Sequence, residues 1–149
     1  MKQDQTKELI KTIQETTRLF SQYTRTSVTD QHATHLQFQA LDLIKRLPDS
    51  SLSTVASELR LSKSSATQLI ERLVTAGFVS REQDNDDKRV IKLSLTTSGS
   101  KERDILAKKL HSHCSLLLNQ IPQEDLEQLL IIHKKLLKHL RSIVPDSAN

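Results

Sequence analysis

A chain of 149 residues with 22 Lys and Arg against 18 Asp and Glu, formally +4 at neutral pH, suits one compact domain with helical arms and can meet a polyanion, though charge alone establishes no partner. One cysteine excludes an intrachain disulfide, and two glycines and three prolines over this length argue for long helices and against an all-β fold. The polar start Met1–Gln5 has no apolar run after it, and no stretch approaches the roughly 20 apolar residues of a membrane span, so a cytoplasmic protein without signal peptide or membrane partner is expected.

Residues Thr6–Thr26 read as a helix, with Leu9, Ile10, Ile13, Leu19, Phe20 and Tyr23 near helical spacing. A second helix is expected from Thr34 to Leu47, stopped by Pro48. Pro48–Ser51 reads as a loop, with Ser53 as N-cap of a short helix, Thr54–Leu59. Arg60–Ser62 breaks the pattern, and Ser62 caps a helix over Lys63–Ala76 whose apolar set is Ala66, Leu69, Ile70, Leu73 and Val74. Gly77 stands where a helix ends in a left-handed residue. The period then changes to 2. Phe78–Gln83 is one expected strand and Val90–Thr96 another, with Ile91, Leu93 and Leu95 alternating with polar residues across a hairpin tip, Asp84–Arg89. Thr97 or Ser98 caps a long helix to about Gln120. Pro122 starts a last helix carrying Leu126, Leu129, Leu130, His133, Leu136, Leu137, Leu140 and Ile143, and Pro145–Asn149 is expected to fray.

Short helix, tight turn, amphipathic helix, Gly and a polar hairpin form a helix-turn-helix followed by a β-wing: a mainly α fold with a small wing. The free side of the 63–76 helix carries Ser64, Ser65, Gln68, Glu71, Arg72 and Thr75, with Thr67 at its border. Short hydroxyls allow close approach to phosphates and base edges, Gln68 can bond adenine bidentately, and Arg72 can reach guanine or phosphate. The helix N-terminus with Lys63 favours a phosphate. Lys88 and Arg89 at the hairpin suit the flanking minor groove, with Asp87 orienting Arg89. The DNA-binding set is thus Ser53, Lys63, Ser64, Ser65, Thr67, Gln68, Arg72, Lys88 and Arg89. A polar helix face is also what any solvated helix shows; the wing directly after it favours DNA. The alternative is a winged-helix protein-interaction module without a specific DNA site, which would carry apolar residues on that face.

Ser53–Leu59, Leu61–Thr67 and Ile70–Arg81, with the wing segment Asp87–Thr96 followed by Thr97-Ser98-Gly99, resemble a MarR-type regulator. The resemblance covers residues 36 to 106 in motif; the flanking helices agree in length and order. It implies a winged helix-turn-helix domain over 36–100, an N-terminal dimerisation helix over 1–35, C-terminal dimerisation helices over 101–149, and a homodimer whose wings straddle a palindromic site on double-stranded DNA. It also implies a repressor relieved by a small phenolic or aromatic effector or by cysteine oxidation. Independently, the apolar stripes at both chain ends exceed what a small wing domain covers, so a second copy is expected.

Cys114 lies on an apolar stripe, where a free thiol acts as a small hydrophobe. Relatives that sense oxidants carry a reactive cysteine in the first helix, and this chain has none there. His111 and His113 beside Cys114, with His32 and His35 elsewhere, invite a metal reading. Zinc needs three or four ligands of defined geometry, and no Cys-x-x-Cys or His-x-x-x-His occurs, so no metal is expected. Phe20, Tyr23 and Phe38 are candidates for lining an effector pocket, against the commoner role of core. No phosphate loop, nucleophile elbow or metalloprotease helix is present, so neither enzymatic activity nor a cofactor is expected.

Overall fold

The computed structural model describes residues 3–27, 32–84, 87 and 90–144, without the side chains of 26, 27 and 32–34. Along the chain run α1 (Gln3–Ser27), α2 (His32–Arg46), β1 (Ser50–Ser51), α3 (Leu52–Glu58), α4 (Lys63–Thr75), β2 (Val79–Gln83), β3 (Ile91–Leu95), α5 (Thr97–Leu118) and α6 (Gln123–Ile143). None of the described helices is long and apolar enough to cross a membrane. The chain divides into two compact units, Met1–His111 and Ser112–Asn149.

In the first unit one core forms where the helical and strand periods meet. Ala40, Leu41, Leu43 and Ile44 of α2, Val55 of α3, Leu69, Ile70 and Leu73 of α4, Val79 of β2, Leu93 of β3 and Leu106 of α5 are buried together. The sheet order is β1-β3-β2, all antiparallel, with Val79 opposite Leu95 and Gln83 opposite Ile91. β1 corrects the loop expected at Pro48–Ser51: Ser50 and Ser51 pair with Leu93 and Lys92. Two residues are too few for a period, so composition alone reads as turn.

Helix ends are set by short polar side chains. Ser51, not Ser53, caps α3: its Oγ accepts the Thr54 N–H at 3.1 Å. Ser62 caps α4 by accepting from the Ser65 N–H at 3.1 Å, as expected. At the end of α4 the Phe78 N–H donates to the Leu73 carbonyl and Gly77 takes φ +75°, the left-handed residue its position demands. The α3–α4 turn repeats this geometry without glycine. Leu61 N–H donates to the Ala56 carbonyl and Arg60 takes φ +52°, a backbone state costing about 1–2 kcal/mol for a residue with a Cβ. Leu61, packed on the core, offsets that strain.

Thr96 caps α5, correcting Thr97 or Ser98. Its Oγ1 accepts the Gly99 N–H at 2.9 Å and donates to the Gly77 carbonyl at 2.6 Å, while its own N–H donates to the Phe78 carbonyl at 3.1 Å. Gly99 is buried and backs onto that Phe78 carbonyl so closely that an added Cβ would overlap the oxygen. Below this joint, α2 and α5 are clamped by charge. Arg103 donates to Asp42 through Nε at 2.9 Å and also through Nη2, and its guanidinium stands 5.9 Å from the Phe38 ring centroid. The Asp42 hydrogen bonds, with those of Asp104, raise the already high Arg103 pKa despite partial burial. Asp104 also accepts from Lys45 at 3.3 Å, and Arg103 first, then Lys45, holds its carboxyl below the usual range.

The second unit comprises the end of α5 and α6. No residue of α6 is buried; Leu129, Leu136, Leu137 and Leu140 are 40–48% exposed and Ile143 76%.

Gly99→Ala should destabilise the protein although alanine is the better helix former. Helix propensity favours alanine by up to about 1 kcal/mol, whereas forcing a methyl against fixed backbone costs about 1–3 kcal/mol or more. A lower urea midpoint at unchanged slope is expected; a raised midpoint would show that α5 can move off Phe78.

Candidate nucleic-acid interface

α4 is anchored by Ala66, Leu69, Ile70 and Leu73, each no more than 3% exposed. Its other side is open: Lys63, Ser64, Ser65, Gln68, Glu71, Arg72 and Thr75 are exposed and Thr67 half-buried. Gln68, Glu71, Arg72, Thr75 and Ala76 line a shallow open depression on this side.

Local hydrogen bonds decide what each group offers. Ser62 Oγ donates to Ser65 Oγ at 2.8 Å, so the Ser65 hydroxyl keeps its own hydrogen for an outside acceptor. Thr67 Oγ1 donates to the Lys63 carbonyl at 2.8 Å and has only acceptor capacity left. Arg72 Nε donates to the Gln68 carbonyl at 3.4 Å, which lays the guanidinium back along the helix axis. Ser53 is exposed on α3.

At the hairpin, Asp84 is the organising residue. Its Oδ1 accepts the Asp87 N–H at 3.1 Å, its Oδ2 pairs with Lys92 at 2.6 Å, and its N–H donates to the Val90 carbonyl. The Asp87 carbonyl accepts the Val90 N–H at 2.9 Å. The Asp84 carboxylate thus holds the turn through a side-chain-to-backbone bond. Lys88 and Arg89, the expected minor-groove residues, lie outside the described residues, as do Asn85 and Asp86.

The other candidates are scattered. Phe38 packs on the core edge beneath Arg103, Phe20 is 42% exposed on α1, and Tyr23 is half-buried. Among the described residues no three of His, Cys, Asp and Glu converge as metal ligands. No local sequence pattern marks the Asp42–Arg103 clamp, whose ends lie 61 residues apart.

Residues 33–91 match the MarR family model. Among curated proteins, the HTH-type transcriptional regulator BilQ of Clostridium symbiosum is 28% identical over 93 residues, covering 62% of this chain and 65% of its own length. PapX of Escherichia coli, described in the same words, is 27% identical over 93 residues, 62% of this chain and 57% of its own. The chain thus spans a little under two thirds of these relatives. The winged-helix fold recurs in the transcriptional regulator BldR of Sulfolobus solfataricus, at a TM-score of 0.70 and 21% identity over 93% of this chain and 99% of the other. It recurs also in a mutant MarR of E. coli complexed with operator DNA, at 0.63 and 21% over 87% and 94%.

Cys114 is half-buried, and burial pushes its thiol pKa up. A protonated thiol is a poor nucleophile. Alkylation by iodoacetamide at pH 8 should therefore run several-fold slower in the folded protein than in guanidinium chloride; equal or faster reaction when folded would mark an activated cysteine.

Proposed function

We propose that this protein is a sequence-specific DNA-binding transcriptional regulator, acting as a homodimer on a palindromic operator. The single observation that carries the reading is the outer face of α4: a rigidly anchored helix whose exposed side bears hydroxyls, an amide, two cations and one carboxylate, next to a hairpin. An interaction module would need apolar groups there, and this face carries none at its centre. The curated relatives are named transcriptional regulators, and one structural neighbour was captured on operator DNA. In this reading α4 enters the major groove, with Ser64, Ser65, Gln68 and Arg72 at base edges and phosphates, and Ser53, Lys63 and Thr67 beside the backbone. Arg89, oriented by Asp87, enters the minor groove with Lys88 at its edge.

The domain division proposed is 36–100 for DNA and the flanking helices, 1–35 and 101–149, for dimerisation. Supporting it, α1 exposes Leu9, Ile10, Ile13, Leu19 and Phe20 by 42–54%, and α6 carries the exposed stripe described above. Surfaces of this kind on a chain of +4 formal charge call for a partner, and a second copy supplies identical stripes. We further propose repression relieved by a small aromatic or phenolic effector, for which Phe20, Tyr23 and Phe38 are the aromatic candidates, and a cytoplasmic location.

Mobility shifts on genomic fragments test the DNA reading. Affinity should fall steeply with salt. Gln68→Ala should relax sequence preference by about 1–3 kcal/mol, and Lys63→Ala should weaken all sequences alike and flatten the salt slope by about 1. Salt-independent binding, or none, would contradict the reading.

Light scattering tests the dimer. The mass should be about twice 17.0 kDa, and joint replacement of Leu136 and Leu140 by Asp should abolish it, because buried unpaired charge costs several kcal/mol. A 17.0 kDa particle at micromolar concentration would overturn it.

A further inference from the structure

At about 100° per residue, Ser64, Gln68, Glu71 and Thr75 fall within roughly 60° of one another, opposite Ala66, Leu69, Ile70 and Leu73. They form the crest of α4, and Glu71 stands on it, exposed. A carboxylate here is an anomaly for a surface that meets phosphates, since it repels every one of them. Among the described residues no cation forms an ion pair with Glu71; its neighbour Arg72 turns back to the Gln68 carbonyl instead. Among the described residues, neither a structural pair nor helix packing accounts for the charge.

The chemistry of the groove does. A carboxylate only accepts hydrogen bonds. In the major groove just two base groups donate, the adenine N6 amine and the cytosine N4 amine. Adenine N6 lies between its own N7 and the thymine O4, two acceptors that repel a carboxylate; cytosine N4 has an acceptor, the guanine O6, on one side only. A glutamate on the crest therefore discriminates in favour of cytosine, and against non-specific DNA. We propose that Glu71 is a specificity-determining residue that selects a C·G pair in each half-site by accepting from cytosine N4. The proposal rests on the DNA-binding reading and adds to it part of the operator. Three residues of helix separate Gln68 from Glu71, about 4.5 Å along the axis, against about 3.4 Å between base pairs. The adenine read by Gln68 and the cytosine read by Glu71 thus belong to neighbouring base pairs.

Selection from a randomised duplex library tests this with the full chain. The wild-type pool should contain a fixed cytosine beside a fixed adenine, and replacing that C·G pair in the selected site should weaken wild-type binding roughly 5- to 150-fold. Glu71→Gln converts the acceptor into a donor–acceptor pair that matches adenine, so its pool should carry adenine at that one position with the rest of the site unchanged. Glu71→Ala should lose preference at that position alone. Both variants should bind an unrelated duplex more tightly than wild type, and both should melt like wild type because the residue is exposed. A wild-type pool without the cytosine, or a Glu71→Gln pool that keeps it, overturns the proposal while leaving DNA binding intact. A wild-type protein that enriches no sequence overturns the DNA reading and the proposal with it.

Discussion

Four chain segments meet at the carbonyls of Gly77 and Phe78, and the placing of α4 depends on that meeting. Thr96 bonds to both carbonyls and caps α5 through the Gly99 N–H, so the end of α4, the start of β2, the end of β3 and the start of α5 are bound through one side chain and its backbone. Only glycine permits α5 to press on Phe78 as it does. A hydroxyl that both donates and accepts within one turn leaves little freedom for the hairpin to swing relative to the helix. Where the wing sits beside α4 is therefore a property of this joint more than of the hairpin's own residues.

The charged clamp lower on α5 has a different character. Asp42 and Arg103 are each about a quarter exposed, a partly screened pair whose strength comes from paired hydrogen bonds and the Phe38 ring. It lies on the side of α2 away from the core residues Leu41 and Ile44, and so adds orientation to a contact that apolar burial already makes. The polar crest of α4 and the apolar stripes of α1 and α6 separate two tasks by chemistry: the first is built to exchange hydrogen bonds with a polar partner, the second to leave water.

Most of this architecture was legible because it is periodic. The i, i+3, i+4, i+7 set of α4, the alternation in β3, the Ser62 cap and the turn at Gly77 are local signals, and each stands where it was read. The departures from local expectation are non-local or of one or two residues. Ser51 and Thr96 outcompeted neighbouring hydroxyls as caps, and among adjacent Ser and Thr residues only the chain path decides which oxygen reaches the free N–H groups. β1 forms because β3 offers it an edge. Gly99 looked like part of a motif; its reason, the carbonyl behind it, appears only once α5 is packed. At the interface itself the crest of α4 was visible on a helical wheel, whereas the back-bonding of Thr67 and Arg72, which limits what they present, was not.

The central claim is that the outer face of α4 meets DNA. Amide resonances of isotopically labelled protein, followed as a short duplex carrying a selected site is added, test it most directly. The account predicts shifts concentrated at Ser62–Thr75 and the hairpin, with α1 and the exposed stripe of α6 unperturbed. Shifts centred on α1 or α6 with α4 silent would contradict it.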